Sequence, residues 1–358
     1  SGISERLVRF MRMCFRKLPA ASACITTISS AFFGAISGSA PATAAAIGGI
    51  MIEPMKDSGY EAADAAAINA SSASLGIIIP PSIPMVVFAT TASVSVGSLF
   101  MAGIVPGILL AVSFCVMHGI RYGHVEKRAS VKLTFKEFVS TFFQAIFALG
   151  MPILILGGIY GGIFTPTEAA AVSCIYAIVV GCVIYQNLSF KQIWKSVCEI
   201  SVRVSSMLTI VCCATAMAWF VSSSGLAAAV SKAVLAGLSN KFAILTVVNL
   251  LLFVLGCIID PTSIILLTCP IIIPITQALG LSSVHVGAFM IMNIAVGMVT
   301  PPFAGTLYIS NQLADERNMG AVVRKLIPYI VMMFMITLVV AYVPQLSIAL
   351  PKVLGMTV

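Results

Sequence analysis

The sequence predicts an all-α integral membrane protein, and three observations carry that expectation. Charged residues make up only 9% of the 358-residue chain and hydrophobic ones 59%, against about 25% charged in an ordinary soluble domain. Asp, Glu, Lys and Arg are absent from 65–120 and 261–314, and shorter charge-free runs cover 138–167, 169–190, 204–231 and 326–351. These runs also lack the strict alternation of a membrane barrel strand. An ordinary cytosolic enzyme is therefore excluded. The net charge of +8 does not imply a nucleic-acid partner, because the basic residues fall in short clusters between apolar segments rather than on one folded face. The ten cysteines stand singly or as Cys212-Cys213, without a C-x-x-C pair, and read as small hydrophobes. The chain opens Ser1-Gly2-Ile3, with no initiator Met or signal peptide, so it is expected to be the C-terminal part of a longer polypeptide.

Arg6, Arg9, Arg12, Arg16 and Lys17 make residues 1–21 a basic amphipathic arm at a membrane surface. The apolar stretch that follows, 22–55, is interrupted at Ser37-Gly38-Ser39-Ala40-Pro41. Each half has about 15 residues and so reaches roughly 23 Å at 1.5 Å per residue, short of the ~30 Å hydrocarbon core. A re-entrant hairpin fits better than two full spans. Residues 62–92 form a helix broken by Pro80-Pro81-Ser82-Ile83-Pro84, and 99–120 a span. Spans follow near 138–163, 167–186 and 204–222, then a second interrupted stretch over 242–279 and a further span that leads to Arg317, Arg324 and Lys325. This route places 16 Lys and Arg on one side, among them Lys127, Arg128, Lys132, Lys136, Lys191 and Lys195, and only Lys232, Lys241 and Lys352 on the other, with Arg203 ambiguous. The positive-inside rule makes the first side cytoplasmic.

A shift of 221 residues aligns Gly59 with Gly280, Gly76 with Gly297, and Pro80-Pro81 with Pro301-Pro302, and sets Ser39-Ala40-Pro41 against Asp260-Pro261-Thr262. Because the two hairpins enter from opposite faces, the pattern is that of an inverted-repeat transporter, whose binding site forms where helices break near the midplane. Broken helices expose carbonyls that suit a sodium ion and N–H groups that suit a carboxylate. The tip segments Ser37-Gly38-Ser39 and Asp260-Pro261-Thr262-Ser263 add hydroxyl or carboxylate oxygens through their Ser, Thr and Asp side chains. The facing breaks are Gly76–Ser82 and Gly297–Pro302, preceded by Asn69-Ala70-Ser71-Ser72 and by Asn293.

Structural readings compete at each position. Asp260 before Pro261 is a good N-cap; Ser71, Ser72 and Ser74 suit close helix contact; Pro-Pro suits a passive kink. Glu168 after Pro166 compensates a helix N-terminus. Glu53 and Asp64 are expected to be solvated at the cytoplasmic interface, and His118 and His285 to be interfacial or core histidines. No metalloprotease, nucleophile-elbow or phosphate-loop motif occurs, which leaves only a remote serine hydrolase built on Ser37 among catalytic readings.

The stretches Ile36-Ser37-Gly38-Ser39 through Ala44-Ala45-Ala46-Ile47-Gly48, Leu75-Gly76-Ile77-Ile78-Ile79-Pro80-Pro81-Ser82-Ile83-Pro84-Met85, Phe164-Thr165-Pro166-Thr167-Glu168-Ala169-Ala170-Ala171 and Thr300-Pro301-Pro302 resemble the large membrane (M) subunit of tripartite ATP-independent periplasmic (TRAP) transporters. The resemblance runs over essentially the whole chain. It implies a bacterial inner-membrane, sodium-coupled importer of organic anions that works by an elevator motion. Its partners would be a small four-helix membrane subunit (Q), a soluble periplasmic substrate-binding protein (P) and the lipid bilayer, and its substrate a C4-dicarboxylate, a sialic acid or another carboxylate, with sialic acid favoured. On this reading residues 22–120 and 242–313 are two transport-domain repeats, 121–241 scaffold helices with a connecting arm, and 314–358 a C-terminal scaffold helix.

Carried onto this sequence, sodium would be held by Ser37, Gly38, Ser39, Gly76, Ile79, Pro81, Asp260, Thr262, Gly297, Thr300 and Pro302. Substrate would be held by Ser39, Pro41, Ser71, Ser72, Ser82, Thr262, Ser263 and Thr306. Asp260-Pro261 stands where a Ser-rich tip is expected, so Asp260 either ligates sodium or only caps its helix. Proton-coupled symport through Asp260, and a channel or passive complex subunit, are the rival functions.

Overall fold

In the computed structural model, which describes residues 2–126, 135–237 and 240–358, every element is helical and no strand occurs among the described residues. Seven helical segments there are long and apolar enough to cross a membrane, and the protein is a multi-pass membrane protein. Lys127, Arg128 and Lys132 lie outside the described residues, as do the side chains of Lys136 and Arg203.

Helix α1 (Ile3–Phe15) buries Ile3, Leu7, Val8 and Met11, the i, i+4, i+8 face of an amphipathic helix, against α2 and α8. Its arginines face outward or sideways, with Arg6 lying 3.7 Å over the Tyr185 ring. Helix α2 (Ala21–Ser37) and α3 (Ala40–Asp57) make the first hairpin. The start of α2 has no side-chain cap of its own; Glu126 supplies one from afar, accepting from the Ser22 N–H at 2.8 Å and from its hydroxyl at 2.9 Å. The hairpin turns at Gly38, whose φ of 62° is accessible to glycine without strain. Ser39 caps α3, and Pro41 lies in its first turn, where a missing N–H costs nothing.

The first broken helix consists of α4 (Ala62–Ala73), α5 (Leu75–Ile78) and α6 (Ile83–Thr91). It is interrupted around a cis Pro80–Pro81 bond. Then come α7 (Val96–Tyr122), α8 (Phe135–Tyr160), α9 (Pro166–Val179, continued by a π-helical turn to Ile184) and α10 (Phe190–Ser223). A Thr165–Glu168 capping box opens α9, the role expected for Glu168. Helix α10 begins 14 residues before the expected span at 204. Lys191 and Lys195 therefore sit in its first two turns rather than in a loop; their long side chains are exposed and tolerate a helical surface. Short helices α11 (Leu226–Gly237) and, at the end of the chain, α17 (Gln345–Val353) had no counterpart in the sequence reading.

Helices α12 (Lys241–Gly256) and α13 (Pro261–Ala278) form the second hairpin, and α14 (Ser283–Val299) with α15 (Gly305–Ala314) the second broken helix, again around a cis Pro301–Pro302 bond. Helix α16 (Met319–Tyr342), read from the sequence as a C-terminal scaffold helix, packs on α4 and α14 of the two units. Packing between the two units is reciprocal. The first half α4 lies against α15, and the first half α14 against α6; α3 touches α15, and α13 touches α6; α7 lies on α14, and α16 on α4. A first half beside a second half in both cases means that the two broken rods run antiparallel. Their first halves form the core: α14 buries every residue from Val284 to Gly297, and α4 every residue from Ala63 to Ala73. Helices α8 to α10 lie at the periphery, α8 against α1 and α9, and α10 against α13 and α11.

Asp64 corrects one expectation: it is buried, not solvated. A buried carboxylate must be paired, and residues distant in sequence do this, Lys325 Nζ at 3.0 Å and the Tyr122 hydroxyl at 2.7 Å. Glu53, by contrast, is exposed and pairs with Lys56 one turn away at 2.8 Å.

Candidate functional site

Each hairpin is docked onto its own broken helix by the same series of layers. The lowest is a buried polar pair, Thr27 with Ser72 at 2.8 Å in the first unit and Asn293 with Asn249 at 2.6 Å in the second. One to two turns further along comes a glycine pair. A Cβ on Gly34 would stand 2.7 Å from the Gly76 Cα, and one on Gly256 3.2 Å from the Gly297 Cα. Only the absence of both side chains lets the backbones approach this closely. Above them the tip is tied to the break through the main chain: Ile83 N–H donates to the Gly38 carbonyl at 3.3 Å, and Phe303 N–H to the Cys257 carbonyl at 3.1 Å. A hydroxyl downstream of each break then returns to the end of the preceding half. Ser82 donates to the Ile77 carbonyl at 2.6 Å and Thr306 to the Met298 carbonyl at 2.9 Å.

Around the first tip the structure gathers oxygen atoms. Thr43 donates to the Ser39 carbonyl at 2.9 Å and lies 3.1 Å from the Ser37 hydroxyl. A Cβ on Gly76 would stand 2.9 Å from that Ser39 carbonyl, and one on Gly38 3.0 Å from the Pro81 carbonyl. Ser37, Gly38, Ser39, Gly76, Pro81 and Ser82 are thus brought together, with neutral oxygens that suit a hard cation. Among the described residues no three His, Cys, Asp or Glu side chains cluster as metal ligands. Pro41 stands in the turn just after the tip, whereas Ile79 turns toward Gly107 of α7.

At the second tip, Asp260 is the N-cap of α13. One oxygen accepts from the Thr262 N–H at 2.9 Å and the Ser263 N–H at 3.4 Å, and the other accepts from the Ser263 hydroxyl. Thr300 donates to the Val296 carbonyl at 2.8 Å, and the Pro302 carbonyl accepts from Tyr308 at 2.8 Å. Ser71 and Ser72 lie a turn below the first break, with the Ser71 hydroxyl on the Ala67 carbonyl and that of Ser72 on Thr27. Both are fully buried. Sequence reasoning missed Thr27, Gly34, Thr43, Asn249 and Gly256. A signal was present: Gly34 follows Thr27, and Gly256 follows Asn249, by the same seven residues, two helical turns on one face.

Beside the first tip lies a cavity of about 350 Å3. Ser37, Pro81 and Ser82 line one wall, and Met151 and Ile155 of α8 and Ser173 of α9 the other. It separates the first hairpin and break from the peripheral helices.

With this geometry, residues 1–346 match the family described as Tripartite ATP-independent periplasmic transporter, DctM component. The chain belongs to that family. It is 34% identical over 356 residues to the C4-dicarboxylate TRAP transporter large permease protein DctM of Pseudomonas aeruginosa, covering 99% of this chain and 83% of that protein. The isethionate TRAP transporter permease protein DctMQ of Oleidesulfovibrio alaskensis is 34% identical over 96% of this chain and 54% of its own length. The sialic acid TRAP transporter large permease protein SiaM of Vibrio cholerae is 32% identical over 98% and 82%. This TRAP permease chain thus has relatives named for chemically different acids at nearly equal identity.

Proposed function

We propose that this permease imports an organic anion across a bacterial inner membrane in symport with sodium. The observation that carries the reading is the matched pair of docked hairpins, each presenting main-chain and hydroxyl oxygens at a helix break. The oxygen cluster at the first tip is one cation site and the corresponding tip and break of the second repeat the other, flanking an acid held by the helix N-termini at the breaks. The repeats form the carried body, and α8 to α10 belong to the scaffold against which it slides. A periplasmic binding protein delivers the substrate, and a small membrane subunit completes the scaffold. Moving one net positive charge inward down 100 mV releases about 2.3 kcal/mol, so two sodium ions with a monoanion give electrogenic uptake.

The capping bonds at Asp260 favour a structural and sodium-side role for it over a proton-carrying one. The substrate belongs to the acids borne by the relatives' names: a C4-dicarboxylate, a sulfonate or an acidic sugar such as sialic acid. The test is uptake into proteoliposomes holding both membrane subunits, with the cognate binding protein and a panel of these acids outside. Uptake of at least one acid requires a sodium gradient and stops when sodium is replaced by potassium. Undiminished uptake under a proton gradient without sodium overturns sodium coupling.

A further inference from the structure

The two repeats match in geometry but not in charge. Ser39 caps α3 and Asp260 caps α13, each followed by a proline in the first helical turn. The Ser39 hydroxyl accepts from the Ala42 N–H at 3.5 Å, and one Asp260 oxygen from the Thr262 N–H at 2.9 Å. One cap is neutral and the other carries a full negative charge. Residues 22–52, 65–120 and 242–314, which hold both tips and both breaks, contain no other Asp, Glu, Lys or Arg. Among the described residues Asp260 enters no ion pair. Lys241, at the start of α12, is the length of that helix away. His118 and His285 of the same segments are 0% exposed and hydrogen-bond with hydroxyls and one carbonyl. A buried charge without a charged partner is disfavoured, so both imidazoles are neutral.

A charge balance follows, and it rests on the sodium-symport reading above. A sodium ion at the second tip is offset by Asp260. One at the first tip meets only neutral oxygens, those of Ser37, Ser39 and Thr43, and keeps its charge until an acid arrives. Net charge is strongly disfavoured in hydrocarbon, so the load that crosses most readily is neutral. We propose that Asp260 sets the charge of the substrate: two sodium ions balance Asp260 and one negative charge on the acid, and the empty carrier returns with the Asp260 charge alone. The substrate is then a monoanion, such as a sulfonate or a sialic acid. A fully ionised C4-dicarboxylate would leave the loaded body with one excess negative charge. The same balance locates the action of the membrane potential. A neutral loaded body does not feel it, whereas a negative interior drives Asp260 outward on the return, which equals one positive charge inward per cycle. A full charge crossing all of a 100 mV potential biases the two positions about 50-fold.

Two measurements on both membrane subunits in lipid, with the binding protein present, test the balance. The first is the uptake panel in mildly alkaline buffer, where every carboxyl is ionised. Sodium-driven uptake is expected for isethionate or sialic acid, and uptake of succinate is expected to be lower by roughly tenfold or more, the effect of one unbalanced charge. Succinate taken up as fast as the better monoanion overturns the balance and leaves sodium symport standing, whereas no sodium-dependent uptake of any acid removes the reading beneath it. The second measurement needs no substrate. In potassium solution free of sodium and of acid, voltage steps across the bilayer are expected to displace up to about one elementary charge per carrier, and Asp260→Asn to abolish that displacement. Asn caps a helix as well as Asp does, so the variant is expected to keep its thermal unfolding midpoint. Equal displacement in the variant and the unsubstituted protein, or none in the unsubstituted protein while sodium-driven uptake proceeds, overturns the assignment to Asp260. Should the variant not fold, the unsubstituted protein still decides through succinate uptake and the sodium-free displacement.

Discussion

At the scale of single residues, the Asp64 cluster offers a measurable energy. A hydrogen bond to a charged group contributes about 1.5–3 kcal/mol when its loss leaves a buried acceptor short of a partner, and Tyr122 donates such a bond to Asp64 at 2.7 Å. Tyr122→Phe is expected to destabilise the protein by about that amount, read as a lowered midpoint in denaturant unfolding in micelles. Glu53→Gln, which breaks only an exposed pair with Lys56, is expected to shift the same midpoint by under ~0.5 kcal/mol. This contrast also shows which residues sequence discloses. Glu168 and Asp260 were legible because their caps close within three residues, and the histidines because nothing nearby offered them chemistry. Asp64 was not, since its partners lie 58 and 261 residues away. Local composition around it looks like an interface; only the arrival of α7 and α16 makes the interior tolerable for its charge.

At the scale of elements, the glycine layers decide how closely each hairpin seats. A Cβ on Gly34 meets the Gly76 Cα at 2.7 Å, and one on Gly76 meets the Ser39 carbonyl at 2.9 Å, both backbone atoms that a rotamer change cannot move. Gly34→Ala and Gly76→Ala are each expected to cost about 1–3 kcal/mol through overpacking and to weaken sodium binding at the proposed tip site, because the tip oxygens ride on the displaced hairpin. Gly49→Ala, on the same hairpin with open space around it, is the control that leaves both unchanged. Thermal unfolding monitored with and without sodium separates the two effects: equal sodium-induced stabilisation in Gly76→Ala and the unsubstituted protein removes the link between seat and site. The breaks themselves were legible, since Pro-Pro at a fixed offset cannot be continued as helix. Spans limited by charge were less so. Helix α10 runs on past Lys191 and Lys195 because a helix end near the membrane surface needs no apolar residues, so the charge-free run marked only part of it.

At the scale of the whole molecule, reciprocal packing divides the chain by contact. Both broken helices, both hairpins, α7 and α16 are mutually interlocked, so that α16, at the chain's C-terminal end, holds the place on α4 that α7 holds on α14. Their interlocking resists internal shear, since moving α4 against α15 would also require moving α6 against α14. The cavity beside the first tip has no such interlock: Ser82 on one element and Ser173 and Met151 on others line about 350 Å3 of space. If transport slides one body past the other, this gap is where they separate. In a background freed of native cysteines, Ser82→Cys with Ser173→Cys joined by a short bifunctional reagent is therefore expected to abolish sodium-driven uptake. A bridge within the interlocked body, between Thr27→Cys and Ser72→Cys, whose hydroxyls are 2.8 Å apart, is expected to leave substantial uptake. Cleaving a reducible version of the first bridge restores activity. Equal uptake with the two bridges in place would mean that the peripheral helices move together with the repeats, and a different boundary would have to carry the motion.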